Sequence, residues 1–206
     1  MKTEAEAKKF WNERYSGNHF VYGKHPNTFF KQQLDKLPTG KLLMPAEGEG
    51  RNAVYAAEQG WSVTAFDVSS KAQKKALELA KRHHVAITYE VNTFQDFSFE
   101  PNSFDAIGFI YAHIHESLRR ELHRKFIKAL KPGGTLLLEA FSKEQLENNS
   151  GGPGTLEMLY SKEELLTDFK SLDTSIAESL EVTLSEGDHH KGQANIIRII
   201  AQKPGN

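Results

Sequence analysis

The chain has 206 residues, enough for one domain that buries about 70% of the surface its unfolded form exposes. Lys and Arg total 26 against 27 Asp and Glu, spread along the chain, so no basic nucleic-acid footprint is present. Cysteine is absent, which excludes thiol nucleophiles, disulfides and thiolate metal sites.

The opening "MKTEAEAKKFWNERY" is charged and lacks the apolar core of a signal peptide, so a cytoplasmic protein is expected. Residues 4–16 read as a short polar helix and 17–25 as a loop, with a second helix from near Asn27 to "LPTG". From there strands and helices alternate. Lys41–Pro45 reads as a buried strand, 51–59 as a helix stopped by Gly60, and 62–67 as a second strand. A helix capped by Ser69 or Ser70 follows, with Ala72, Ala76, Leu77, Leu79 and Ala80 on its apolar face. Strands are expected at 86–91 and 104–110, then a helix over 116–130 that "KPGG" terminates. Its Arg119, Arg120, Arg124 and Lys128 read as a solvated face. A fifth strand over 135–140, a glycine-rich insertion at 147–154 and a helix near 162–169 come next. Segments 175–185 and 194–202 are placed to pair as an antiparallel hairpin, whose turn carries His189 and His190 to solvent.

Alternation of this kind predicts a Rossmann-like α/β fold, a mostly parallel sheet with helices on both faces. Residues 1–40 form a helical cap and 41–206 the core of a single domain. In such sheets ligands bind beyond the carboxyl ends of the strands. The loop after the first strand, "PAEGEGRNA", brings Gly48 and Gly50 there, and missing side chains let backbone N–H groups approach a ligand. Asp67 closes the second strand nineteen residues after Gly48, and an acceptor-only carboxylate at that height can take both hydroxyls of a ribose. The pair predicts a nucleotide-containing ligand. "GEGRNA" also satisfies G-x-G-x-x-A, so an NAD(P)-binding oxidoreductase is the rival enzyme. Against it stand the cap ahead of the first strand, the lack of a Tyr with Lys four residues on, and the lack of a separate substrate domain.

Taken together, "FWNERYSGNHFVYGKHPNTFF", "LLMPAEGEGRNAVYAAEQG", "VTAFDVSS", "LKPGGTLLLEAFS" and "EGDHHKGQANIIRIIAQKP" resemble class I S-adenosylmethionine-dependent methyltransferases. The likeness is to the small bacterial group related to tellurite-resistance and thiopurine methyltransferases, and it covers almost the whole chain. It implies sheet order 3-2-1-4-5-7-6 with strand 7 antiparallel, and S-adenosylmethionine as cofactor. Gly48 and Gly50, with Asn52, would then line the cofactor, Asp67 would hold its ribose, and Val68 would pack on adenine. Asn92 and Thr93 stand at an adenine-reading pair, where relatives often carry aspartate; Phe94 is either beside them or in the core. Met44 stands where many relatives have an acid for the cofactor's ammonium. Glu47, or the carbonyls of Ala46 and Ile110, would replace it.

The implied activity is methyl transfer to a small-molecule nucleophile such as a thiol or chalcogen. Candidates for a base or an acceptor-positioning group are His113, His115 and Glu139, with Tyr22, Trp11 and Tyr15 as an aromatic lid. Either histidine could instead cap the helix that follows. A metal site built on His113, His115, Glu139, His189 and His190 is set aside. A non-catalytic S-adenosylmethionine-binding protein is the remaining alternative, and oligomeric state is not encoded in any motif.

Overall fold

The computed structural model describes residues 3–205. Its strands are β1 (Lys41–Pro45), β2 (Ser62–Asp67), β3 (Thr88–Val91), β4 (Phe104–Ile110), β5 (Leu130–Phe141), β6 (Asp173–Ser185) and β7 (Lys191–Gln202). They form one seven-stranded sheet in the order β3-β2-β1-β4-β5-β7-β6. β1 and β3 each run parallel to β2, and β4 parallel to β5. β7 is antiparallel to both of its neighbours. This is the Rossmann-like fold and strand order expected.

The chain divides into two compact units, one reaching to Ser98 and taking in Glu186–Asp188, the other comprising Phe99–Ser185 and continuing from His189. In the first, α1 (Glu4–Arg14) starts with a capping box between Thr3 and Glu6, and Asn27 caps α2 (Thr28–Leu34). Helix α1 buries no residue of its own. It is tied down by Asn12, whose side-chain oxygen accepts from Ser69 Oγ at 2.8 Å and from the Lys71 amide at 3.3 Å. Helices α3 (Arg51–Glu58) and α4 (Ser70–Arg82) follow β1 and β2. On α4 the buried stripe is Ala72, Ala76, Leu79 and Ala80, at i, i+4, i+7 and i+8. Leu77, expected on that face, lies one 100° step off it and is 42% exposed. Phe66 of β2 stacks on Phe97, with centroids 4.3 Å apart, inside the core.

The second unit carries α5 (Glu116–Ile127) and α6 (Lys162–Asp168). Helix α5 ends before the expected Leu130, and "KPGG" lies within β5 rather than ahead of it. Leu130 pairs with Phe104, the register then shifts, and Thr135 pairs with Ala106. Gly133, in the left-handed region at φ +79°, sits in that irregularity. Arg120, Arg124 and Lys128 are exposed as expected, but Arg119 is buried and its Nε donates to Asp168 Oδ2 at 2.7 Å. His123 lies beside it with Nδ1 3.0 Å from the same carboxylate oxygen.

Gly50 shows why the loop after β1 needs its second glycine. Its φ is +89°, and an added Cβ would lie 2.6 Å from Ala76 Cβ and 2.9 Å from Ala76 Cα. The missing side chain therefore admits α4. Gly50→Ala is expected to lower unfolding free energy by about 1–3 kcal/mol, from overpacking and a strained φ. Urea denaturation at fixed pH measures it, and a midpoint equal to that of the parent protein would contradict the packing role.

Candidate functional site

In the first unit the loop between β1 and α3 is held by buried carboxylates. Helix α3 starts at Gly50, which has no side chain to cap the free amides of the first turn. Glu47 takes that place from below: its Oε1 accepts from the Asn52 and Ala53 amides, each at 2.8 Å. Asp67, at the end of β2, accepts from the Gly48 amide at 3.2 Å through Oδ2 and from the Ser69 amide at 2.9 Å through Oδ1. Burial pushes the Glu47 carboxyl up to about 7 and the Asp67 carboxyl up to about 6, against the opposing pull of these amides.

Glu49, between the glycines, points the other way. Its Oε2 accepts from the Val21 amide at 2.7 Å and its Oε1 from Lys75 Nζ at 2.5 Å. The same ammonium donates to the His19 carbonyl. Segment 17–27 is thereby strapped to the loop. Gly48 lies under the cap: an added Cβ would be 2.8 Å from Tyr15 Oη. Tyr89 of β3 donates its hydroxyl to the Gly48 carbonyl at 2.6 Å. Glu49, Lys75 and Tyr89 were not evident as site residues in the sequence. A buried tyrosine on a half-apolar strand was the available signal for Tyr89, since such a hydroxyl requires a partner.

The other expected residues of this unit fall at the same strand ends. Ala46 adopts φ +50° and is half-buried, while Met44 is fully buried in β1. Asn52 turns its side chain away from the loop, accepting from the Asn27 amide at 2.8 Å. Asn92 accepts from the Thr93 amide, and Thr93 Oγ1 donates to Asp96 at 2.7 Å, so both close a local turn. Phe94 is half-buried, edge-on to Phe66 at 5.6 Å. Val68 is half-buried beside Asp67. Tyr22 accepts from Arg14 Nη1 at 3.3 Å and packs with Trp11 and Tyr15 in one aromatic cluster.

In the second unit Ile110 ends β4, His113 and His115 follow it, and Glu139 lies within β5 near its end. Tyr111, after β4, takes the left-handed region at φ +52°, a sparsely populated conformation for an aromatic residue. His113 is used internally at both ring nitrogens. Its Nδ1 is 2.7 Å from the Met158 carbonyl, so it carries the proton, and its Nε2 accepts from the Phe141 amide at 3.2 Å. Burial lowers its pKa to about 4. Neither nitrogen is open to an acceptor molecule. His115 caps α5, its Nδ1 accepting from the Ser117 amide at 3.2 Å. Glu139 is buried and accepts from Arg198 Nε at 2.6 Å across β5 and β7. His190, expected in solvent, is 5% exposed and packs against Tyr111 and Phe141 at centroid distances of 4.5 and 5.2 Å. Arginine pairing at Glu139, helix capping at His115 and a doubly bonded ring at His113 replace the expected bases.

A methyltransferase-domain family profile matches residues 43–134, the span from β1 into β5. The profile match and the strand order support a class I S-adenosylmethionine-dependent methyltransferase. It is 31% identical over 121 residues to a glycine/sarcosine N-methyltransferase of Halorhodospira halochloris, covering 56% of this chain and 45% of that one. The chain spans under half the length of the curated relatives it matches. Among solved structures, one described as converting a disulfide bond into a thioacetal group during echinomycin biosynthesis superposes with a TM-score of 0.78 at 17% identity, covering 99% of this chain and 92% of that one. TehB from Haemophilus influenzae superposes at 0.72 with 14% identity, covering 96% and 67%. These two likenesses concern the fold. The family's cofactor is S-adenosylmethionine.

The residues present fit that cofactor: Gly48 has no side chain beneath the cap, and the buried Asp67 carboxylate accepts from its amide. Glu47 and Asp67 also set a pH dependence. Both are raised in the fold above their ordinary values, so the folded protein holds these protons more tightly than the unfolded chain. The associated stability is present below about pH 4 and is lost as pH rises through about 6 to 7. Glu47→Gln keeps the acceptor oxygen without the charge. It is expected to flatten the decline in unfolding free energy between pH 5.5 and 8, a difference on the order of 2–3 kcal/mol. Parallel decline in both proteins would remove Glu47 as its source.

Proposed function

We propose that this chain binds S-adenosylmethionine at the loop after β1 and transfers its methyl group to a small-molecule nucleophile. The observation that carries the reading is Asp67: a buried carboxylate at the carboxyl end of β2, bonded to the Gly48 amide. When bound, S-adenosylmethionine supplies a methyl group on a sulfonium, open to in-line displacement. Asp67 accepts the ribose hydroxyls, and Val68 with Phe94 offers an apolar surface to adenine. The Ala46 carbonyl receives the ammonium, because Met44 is sealed in the core and Glu47 is turned onto α3. Trp11, Tyr15 and Tyr22 close over the loop and exclude water. Orientation of this kind is worth about 7–11 kcal/mol when reacting groups are aligned.

The commitment of His113, His115 and Glu139 to structural bonds supports an acceptor that needs no base, one arriving as an anion or a soft nucleophile. Thiolates and reduced chalcogens meet that requirement; a protonated amine does not. A cytoplasmic setting accords with this chemistry.

Thermal-shift and calorimetric titration with S-adenosylmethionine, S-adenosylhomocysteine and NAD(H) test the cofactor assignment. Stabilisation by the two sulfur compounds is expected, and stabilisation by NAD(H) alone would overturn it. Asp67→Ala is expected to weaken S-adenosylmethionine binding about tenfold or more, or about 1.4 kcal/mol per tenfold; unchanged affinity would refute the ribose role. In a panel of acceptors, His113→Gln is expected to keep activity toward thiols within severalfold of the parent protein. A loss of about a hundredfold or more would restore His113 as a general base.

A further inference from the structure

The turn between β6 and β7 belongs to the first unit, where its residues Glu186–Asp188 meet segment 17–27. Glu186 Oε2 accepts from Arg51 Nη2 at 2.9 Å, and the pair is well buried. Its Oε1 accepts from Asn27 Nδ2 at 3.1 Å. Arg51, the first residue of α3, uses Nη1 to reach the Tyr22 carbonyl at 3.2 Å. The Asp188 amide donates to the Val21 carbonyl at 3.0 Å. Between them Gly187 lies flat on the strap: an added Cβ would be 2.4 Å from the Val21 carbonyl oxygen and 2.6 Å from the Gly23 nitrogen. The strap is thus held on one side by Glu49 and Asn52 of the glycine-loop region and on the other by the hairpin turn.

We infer that Glu186 is a positioning residue for cofactor retention: through Arg51 and Asn27 it latches segment 17–27, with Tyr22, over the glycine loop. The inference rests on the proposed cofactor site, because retention presupposes binding there. Its chemistry follows from the pair. A bidentate-capable carboxylate joins a guanidinium at the start of α3 to the amide that caps α2, so the middle of the strap at Tyr22 and its end at Asn27 share one anchor. A buried pair is poorly screened and is costly to break by removing one partner. Glu186 lies 135 residues from Arg51 in sequence, so the fold and not the local chain brings the pair together.

Hydrogen exchange on the full chain tests the latch without any ligand. In Glu186→Ala, the Val21 and Asn27 amides are expected to exchange about tenfold or more faster, while the β1 and β2 amides keep their protection. Glu186→Gln, which retains an acceptor but not the charge, is expected to fall between the two. Stopped-flow release of S-adenosylhomocysteine is expected to accelerate about tenfold in Glu186→Ala, with a smaller change in association. Gly187→Ala, which presses a Cβ into the strap from a backbone at φ +75°, should give the same pattern. Unchanged strap exchange, or faster exchange spread evenly over the sheet, overturns the latch. A parent protein that binds no S-adenosylhomocysteine sinks the proposed function, and strap exchange then still decides whether Glu186 holds the segment.

Discussion

Carboxylates accepting from backbone amides hold the loop after β1 together, and the remainder of the first unit is arranged around them. Glycine at the start of α3 permits the left-handed turn but brings no capping group, so the first amides of the helix need an acceptor from elsewhere. Glu47 supplies it, Asp67 takes the Gly48 amide, and Glu49 takes the Val21 amide. Three acids within reach of one short loop place much negative charge where water is scarce. Carboxyls held above their ordinary pKa at Glu47 and Asp67 are the cost of that placement, and a cationic species is what would relieve it.

Most of the fold was legible because it rests on local periodicity. Apolar runs of strand length alternating with amphipathic segments specify a parallel sheet, and the closing hairpin followed from the proximity of its two strands. Leu77 misled because it adjoins the stripe in sequence while lying a full step round the helix. "KPGG" misled because a proline and two glycines ordinarily end an element, whereas here a register shift in β5 absorbs them. Arg119 was assigned to solvent by composition; the carboxylate that buries it, Asp168, comes from α6, 49 residues on.

Legibility of the site divides along the same line. The pairing of Gly48 with Asp67 was legible from spacing, since the distance from a glycine turn to the end of the next strand is fixed by the length of one helix and one strand. Gly50 and Asn52 had the right position for ligand contact, yet the first makes room for Ala76 and the second anchors Asn27. Glu49, Lys75, Tyr89 and Glu186 owe their roles to partners distant in sequence, and no motif announces such a partner. Histidines were the least readable: His113, His115 and His190 share a residue type but serve as a double hydrogen-bonding wedge, a helix cap and an aromatic packing group.

That division has a chemical consequence. Acids that bind backbone in the first unit, and histidines committed to structural bonds in the second, leave little machinery for proton transfer in either. Methyl transfer tolerates this better than most reactions, because alignment and exclusion of water supply the larger share of its acceleration. Under the proposed function, selection among acceptors would rest on which nucleophiles arrive already deprotonated, and on how tightly segment 17–27 is held while they do. The turn carrying Glu186 is far from that segment in sequence, yet it has a direct physical means of setting how firmly segment 17–27 lies over the glycine loop.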